Sequence, residues 1–431
     1  MQQTYLSISG YQVPMRFLLI AGLLAVGVAV LLLTPPASAA PSQPPPAPAS
    51  TPAAEQSNDV RPPVVTPQMT RYSRTRYALY FGGTGWGLLA LWGVLATGLS
   101  ARLRRVVQPL RFPFFQLAGY YALLTLVLLV VHAPLTWYSG YYLEHAYGLS
   151  SQSAGAWAGD MAKGIAVDIA TTVPVLWVLF WLIKKSPRRW ALGFWGALIP
   201  FIAFGIFAAP LLIDPLFNTF TPMPPSPLKT QIEALAAKAG IPNAPVYVVD
   251  KSRQTHSTNA YVTGIGSSAR IVIWDTTLAR MPQDQILAVV AHEMGHYVLK
   301  HLYWGFALTV GGLLLLLPLA QRFAERLLAR FGPRWGVPAL TDYAATPVLL
   351  LTVSLFSFLL APVTNGVSRE IEHQADAYGL QVTGNRAAMA RAFVSLSEQN
   401  LSDPNPPAFI TFWLFTHPPL QERIDFALGK K

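Results

Sequence analysis

Leu287-Ala288-Val289-Val290-Ala291-His292-Glu293-Met294-Gly295-His296-Tyr297 places two histidines four residues apart, just ahead of a long apolar run. On a helix, His292 and His296 project from one face a turn apart. Two imidazoles so placed can share one Zn²⁺ at about 2.0–2.1 Å each. Glu293 falls beside them, positioned to take a proton from a metal-activated water rather than to ligate. Pro282 suits a first helical position, and Ile286, Val289, Val290 and Met294 form an apolar stripe. The helix is expected to run on unbroken into the apolar run that starts at Leu302. That continuity would set a hydrolytic metal site at or just within a membrane boundary.

The composition agrees. The chain is 52% hydrophobic and only 12% charged, too apolar for an ordinary soluble domain. It has no cysteine, which excludes disulfides, cysteine–zinc sites and thiol catalysis, so a metal must use histidine and carboxylate. A net charge of +11 would suit nucleic acid, but the Lys and Arg residues cluster in short loops beside apolar runs. No nucleic-acid partner is expected; the partners are the lipid bilayer and peptide or membrane-protein substrates. The basic balance is a topology signal.

Residues 77–99, 114–137, 164–183, 190–213, 302–320 and 345–363 are six apolar runs of spanning length. Another, 17–33, follows Arg16 and precedes Ala37-Ser38-Ala39, and reads as a signal peptide or a first membrane helix. The expected fold is an α-helical polytopic membrane protein of six to seven transmembrane helices with an inserted α/β metalloprotease domain. Its parts are a signal peptide or first helix (1–34), a Pro/Ala-rich disordered linker (35–70) and the N-terminal transmembrane helices (71–213). The first part of the protease domain follows (214–301), then two transmembrane helices (302–363) and the rest of that domain (364–431). Within 214–301, residues 227–240 have helical periodicity, Val246–Val249 reads as a strand, and 261–263 with 270–274 flank Gly264-Ile265-Gly266-Ser267-Ser268 as a hairpin. Asp168 and His132 lie inside membrane runs, and both are expected to face the bundle interior or a wet cavity, a structural hydrogen bond being favoured over a functional role.

Arg102, Arg104, Arg105 and Arg111 form one basic loop, Lys184, Lys185, Arg188 and Arg189 a second, and Arg322, Arg326, Arg330 and Arg334 a third. The positive-inside rule puts all three in the cytoplasm and the protease segments outside it. Arg71, Arg74 and Arg76 count against that side. The signal-like start fits a bacterial inner-membrane protein.

A catalytic zinc takes three protein ligands and keeps one open position. His301 is one residue out of register for a third ligand of the extended motif. The alternatives lie in Ser368-Arg369-Glu370-Ile371-Glu372-His373-Gln374-Ala375-Asp376. Glu372 and Asp376 share a helical face, so one can ligate while the other holds a ligand imidazole by its free N–H. His373 and Glu370 compete, and spacing alone leaves the choice open.

Several motifs in order resemble the type I CAAX prenyl protease family of membrane zinc metallopeptidases. They are Ile213-Asp214-Pro215-Leu216-Phe217-Asn218, Tyr247-Val248-Val249-Asp250, His256-Ser257-Thr258-Asn259-Ala260-Tyr261, the His292–His296 motif, Ser368-Arg369 with Glu372 and Ala375-Asp376, and Thr416-His417-Pro418 with Glu422-Arg423. The likeness covers about residues 77–431. It implies helices around a chamber whose site cuts polypeptide, with one Zn²⁺ per chain held by His292, His296 and Glu372. It makes Glu293 the general base, Asp376 the partner of a ligand imidazole, and Asn259 and His417 groups that bind substrate and the oxyanion. Arg369 and Arg423 match family positions with expected ion-pair or scaffold roles. The family's eukaryotic enzymes act from the cytosolic side, against the basic-loop count. Two rivals remain: an inactive zinc-dependent membrane scaffold or transporter, which would have no use for Glu293, and a lipid-anchored soluble protease, which six spanning runs disfavour.

Overall fold

The computed structural model describes residues 60–430. The expectation for 1–34 and the start of the linker expected over 35–70 lie outside the described residues. The linker also ends early. Helix α1 (Pro67–Ala96) begins inside it, because the Thr66 hydroxyl accepts the Met69 N–H at 3.0 Å and Pro67 supplies a preset first turn. Then come α2 (Leu99–Val107), α3 (Pro113–Ala146), α4 (Ala154–Lys185) and α5 (Trp190–Leu216). α3 and α5 each widen into a π-turn, at Tyr138–Tyr142 and Phe204–Ala208, just past Pro134 and Pro200. A proline removes one ladder hydrogen bond, and the wider turn takes up the disruption.

The chain next leaves the bundle for a small α/β unit. It contains β1 (Phe220–Pro222), α6 (Pro227–Lys238), β2 (Val246–Val249), β3 (Ala260–Thr263), β4 (Arg270–Trp274), α7 (Asp275–Arg280) and α8 (Gln283–Val298). The sheet order is β1-β2-β4-β3. β1 pairs antiparallel with β2, β2 parallel with β4, and the expected β3–β4 hairpin is present, Ala260 opposite Ile273. β3 is therefore an edge strand. Buried Ile232, Ile271, Ile273, Ile286, Val290 and Met294 fuse the sheet to α6 and α8.

α8 does not continue into the membrane. It stops at Val298, Lys300 adopts a left-handed conformation (φ 58°, ψ 32°), and α9 (His301–Trp335) starts on a new axis. α8 belongs to the protease core and α9 to the bundle, and a straight helix cannot serve both. Pro282 likewise caps α8 instead of opening it. α10 (Thr346–Thr383) is one continuous 38-residue helix that carries the last span straight to Glu372 and Asp376. α11 (Arg386–Gln399), α12 (Ala408–Leu414) and α13 (Leu420–Leu428) close the protease domain.

Among the described residues, six helices are long and apolar enough to span a bilayer: α1, α3, α4, α5, α9 and α10. Only 22% of the apolar window of α5 and 28% of that of α9 is covered by protein. Exposed Leu315 and Trp304 on α9 would be penalised in water at about 25 cal/mol per Å². Lipid is the solvent these surfaces require. Asp168 meets its expectation, accepting from the Tyr121 hydroxyl at 2.8 Å and from Thr172 at 3.2 Å. His132 does not: it is buried beside Trp86, and neither ring nitrogen has a partner among the described residues.

Candidate active site

α8 and α10 pack closely enough to merge their functional faces. A Cβ on Gly295 would lie 3.1 Å from the Ala375 Cα and carbonyl oxygen. On the other helix, a Cβ on Gly379 would lie 3.1 Å from the His292 backbone nitrogen. These glycines let His292 and His296 approach Glu372 across the helix interface. The His292 Nε2 lies 3.2 Å from the His296 Nε2 and 3.2 Å from Glu372 Oε2, and His296 Nε2 lies 3.5 Å from Glu372 Oε1. A tetrahedral ion with bonds of about 2.0–2.1 Å needs ligand atoms about 3.4 Å apart. The three fit. Among the described residues Glu372 Oε2 is buried without a hydrogen bond of good geometry, its near neighbours being the ring nitrogens of His292 and His417.

The competing ligands are elsewhere. The exposed His373 packs on Phe426, ring centroids 4.3 Å apart, and Glu370 accepts from the Gln374 amide at 3.0 Å. Asp376 lies behind His292, its Oδ1 2.7 Å from His292 Nδ1. Arg423 grips the same carboxylate with two hydrogen bonds of 2.8 and 2.6 Å, its guanidinium 4.3 Å above the Phe393 ring. The bidentate fork fixes the carboxylate plane, which in turn fixes the imidazole. Arg369 is scaffold, donating to the Thr411 and Phe415 carbonyls at 3.0 and 2.7 Å.

Around this centre lies a cleft bordered by Asn259, Val289, Glu293, Phe393, His417 and Arg423. Glu293 makes no hydrogen bond among the described residues, and burial pushes its carboxyl up to about 7, suited to exchanging protons near neutrality. Burial also drives His296 down to about 3. At His292 burial is outweighed by Asp376 and Glu372, which carry it up to about 10. His417 Nε2 is 3.0 Å from Glu372 Oε2 and its Nδ1 is 2.9 Å from the Thr416 hydroxyl. Burial lowers the His417 pKa, favouring the neutral ring. The Asn259 amide nitrogen is buried without a partner among the described residues, while its backbone is pinned: its N–H donates to Thr277 Oγ1 at 2.6 Å and its carbonyl accepts from Trp274 at 3.0 Å. Thr277 and Phe393 carry no motif, and spacing could not have found them. His301, dismissed as a ligand, stands against His296.

Residues 223–430 match the family model of peptidase family M48, and residues 54–219 match that of the CAAX prenyl protease N-terminal region, described as five membrane helices. Within the latter stretch the described residues hold four helices of spanning length. The uncharacterized metalloprotease YhfN of Bacillus subtilis is 36% identical over 361 residues, 83% of this chain and 84% of that one. The chain belongs to the CAAX prenyl protease family. Within this family, CAAX prenyl protease 1 of Saccharomyces cerevisiae is 29% identical, covering 77% of this chain and 78% of the yeast protein. The human CAAX prenyl protease 1 homolog is 26% identical over 70% of this chain and 71% of its own length. The crystal structure of S. mikatae Ste24p superposes with a TM-score of 0.74 at 25% identity, covering 85% of this chain and 91% of that one. The chain is thus a multi-pass membrane metallopeptidase, and the scaffold and lipid-anchored alternatives fall away.

Proposed function

We propose that this protein is a zinc endopeptidase of a bacterial cell membrane that cuts membrane-associated or hydrophobic polypeptides. The observation that carries the reading is the convergence of His292, His296 and Glu372 at tetrahedral spacing beside an unpaired Glu293. Bound there, zinc would polarise a scissile carbonyl and acidify an attacking water. Glu293 takes the water's proton and returns it to the departing amine. His417, its Nδ1 2.9 Å from the Thr416 hydroxyl and its Nε2 3.0 Å from Glu372 Oε2, stands at the edge of the metal site as one donor to the reacting carbonyl. The free amide of Asn259 supplies a second donor to its developing negative charge. The open edge of β3 pairs with an extended substrate backbone and holds it along α8. Val289, Met389, Phe393, Leu396 and Leu420 give the cleft an apolar wall, which supports hydrophobic side chains in the substrate. The yeast and human relatives are named CAAX prenyl proteases, and lipidated C-terminal peptides are the first substrates to try.

The test is zinc content and peptide cleavage of wild type beside Glu293→Gln and Glu372→Ala. The wild type should cut, Glu293→Gln should keep one zinc without cutting, and Glu372→Ala should lose the metal. Cleavage by Glu293→Gln would discard the mechanism, and equal zinc in all three would discard the ligand set.

A further inference from the structure

His301 opens α9 immediately after the Lys300 turn, and its buried ring folds back on the metal site. Its Nδ1 lies 3.0 Å from Nδ1 of His296, the rings meeting edge to face with centroids 5.1 Å apart. On the far side, His301 Nε2 is 3.3 Å from the Gln374 carbonyl oxygen, and the Gln374 amide donates to Glu370 at 3.0 Å.

Counting hydrogens gives these contacts one consistent assignment. His296 turns Nε2 toward His292 and Glu372, so a neutral ring that ligates through Nε2 carries its hydrogen on Nδ1. That hydrogen points at His301 Nδ1, which must accept it. His301 then holds its own hydrogen on Nε2 and donates to Gln374, whose amide donates to the Glu370 carboxylate. Every donor in the line meets an acceptor. A doubly protonated His301 would set two N–H groups head to head.

We propose that His301 is the positioning residue for His296: it accepts the Nδ1 hydrogen, fixes the tautomer and aims Nε2 at the metal. The proposal rests on the metal-site reading above. It makes the two ligand histidines unlike, since His292 is held by an anionic carboxylate and His296 by a neutral ring. It also gives the helix break a purpose. On an uninterrupted helix of 3.6 residues per turn, His301 would stand about 140° round from His296, facing away. The left-handed Lys300 re-aims it, a conformation that residues other than glycine rarely adopt.

The experiment uses the full-length protein in detergent, comparing wild type, His301→Leu, His301→Asn and Glu372→Ala. Zinc affinity is read by chelator competition, and coordination by the visible bands of the Co²⁺-substituted protein. His301→Leu should bind zinc about 10–100-fold more weakly, as loss of a partner behind a ligand imidazole typically does, with altered Co²⁺ bands. His301→Asn, whose carbonyl oxygen can take the Nδ1 hydrogen, should restore both. The proposal is overturned if His301→Leu matches wild type in affinity and spectrum, or if leucine and asparagine are equally impaired. Should the leucine variant fail to fold, the asparagine variant decides: wild-type affinity and spectrum support the assignment, and weakened binding overturns it. If wild type and Glu372→Ala hold zinc alike, the metal site itself is misassigned, a separate failure.

Discussion

An unpartnered amide is expensive inside a protein, and Asn259 keeps one at the cleft wall. Leaving such a donor unmade costs about 1–3 kcal/mol, so a purely structural residue here would be better replaced by alanine. Asn259→Ala should therefore leave the thermal midpoint unchanged or raised and the zinc content intact. Its kcat should fall about 10²–10³-fold, the usual loss when an oxyanion donor is removed. Wild-type kcat in that variant would remove Asn259 from the mechanism. At this scale the sequence was informative where a motif supplies its own geometry: His292, Glu293 and His296 sit on one helix, so spacing places them. Glu372 and Asp376 needed the family resemblance, because spacing on α10 cannot say which carboxylate reaches across to α8. His301 was excluded as a ligand, and the His292, His296 and Glu372 group leaves it out, but its place behind His296 was not legible. Register arguments assume a continuous helix, and the Lys300 turn breaks that assumption.

Helix contact, rather than helix formation, sets the geometry of the centre. Gly295→Ala would press a methyl group against the Ala375 backbone, where neither atom can retreat. Overpacking of this kind costs typically about 1–3 kcal/mol, and here the strain would separate His296 from Glu372. The variant should lose zinc to a chelator that leaves wild type loaded, while Gly311→Ala on α9, with open space around its Cα, should not. Equal retention by both would show that the helix interface tolerates the shift. The loop before β3 makes a second prediction. Lys251 is buried against Trp274, donates to Asn218 at 2.7 Å, and burial pulls its pKa down to about 7 despite Asp214 and Asp250. Between pH 7 and 10 the unfolded chain keeps a proton there that the folded chain releases, so stability rises with pH across that window. Below pH 7 both states are charged and the penalty is constant. Thermal midpoints in detergent should climb from pH 7 to 10 in wild type and climb less in Lys251→Met; parallel curves would exclude Lys251 as the cause. The strands and hairpin of this unit were legible because alternation and glycine turns are local. The break after Val298 was not, since it answers to two distant packing partners.

The arrangement of the whole molecule sharpens the question of sidedness. Ser100 donates to the Ala344 carbonyl at 2.6 Å, Arg104 pairs with Asp342, and the Lys184 ammonium, just before the 186–189 turn, lies 4.8 Å from the Tyr343 ring centroid. The turns between spanning helices at 97–112, 186–189 and 336–345 therefore meet at one end of the bundle, and the three basic clusters lie at or near it. At the opposite end, the loop after α3 docks on the protease domain, with His256 N–H donating to the Leu149 carbonyl at 3.1 Å and Ser150 to the Gln254 carbonyl at 2.6 Å. Of the arginines that counted against an outer protease domain, Arg76 is buried and paired with Glu144 at 3.3 Å, so its charge is neutralised inside the fold. Arg71 and Arg74 remain exposed, against three basic clusters, of which the third, expected as a loop, instead lies on the last turns of α9. Short-loop Lys and Arg counts govern orientation. The charge distribution therefore predicts the basic end in the cytoplasm and the protease domain on the outer face. A phosphatase fused after Lys431 should be active in cells, and a fluorescent protein fused at the same point should be dark. The reverse pattern would place the site in the cytosol and would mean that Arg71 and Arg74 outweigh all three clusters. Replacing those two arginines by glutamine in the same fusions tests that directly: a flip of the reporters would locate the topology signal in the first turns of α1.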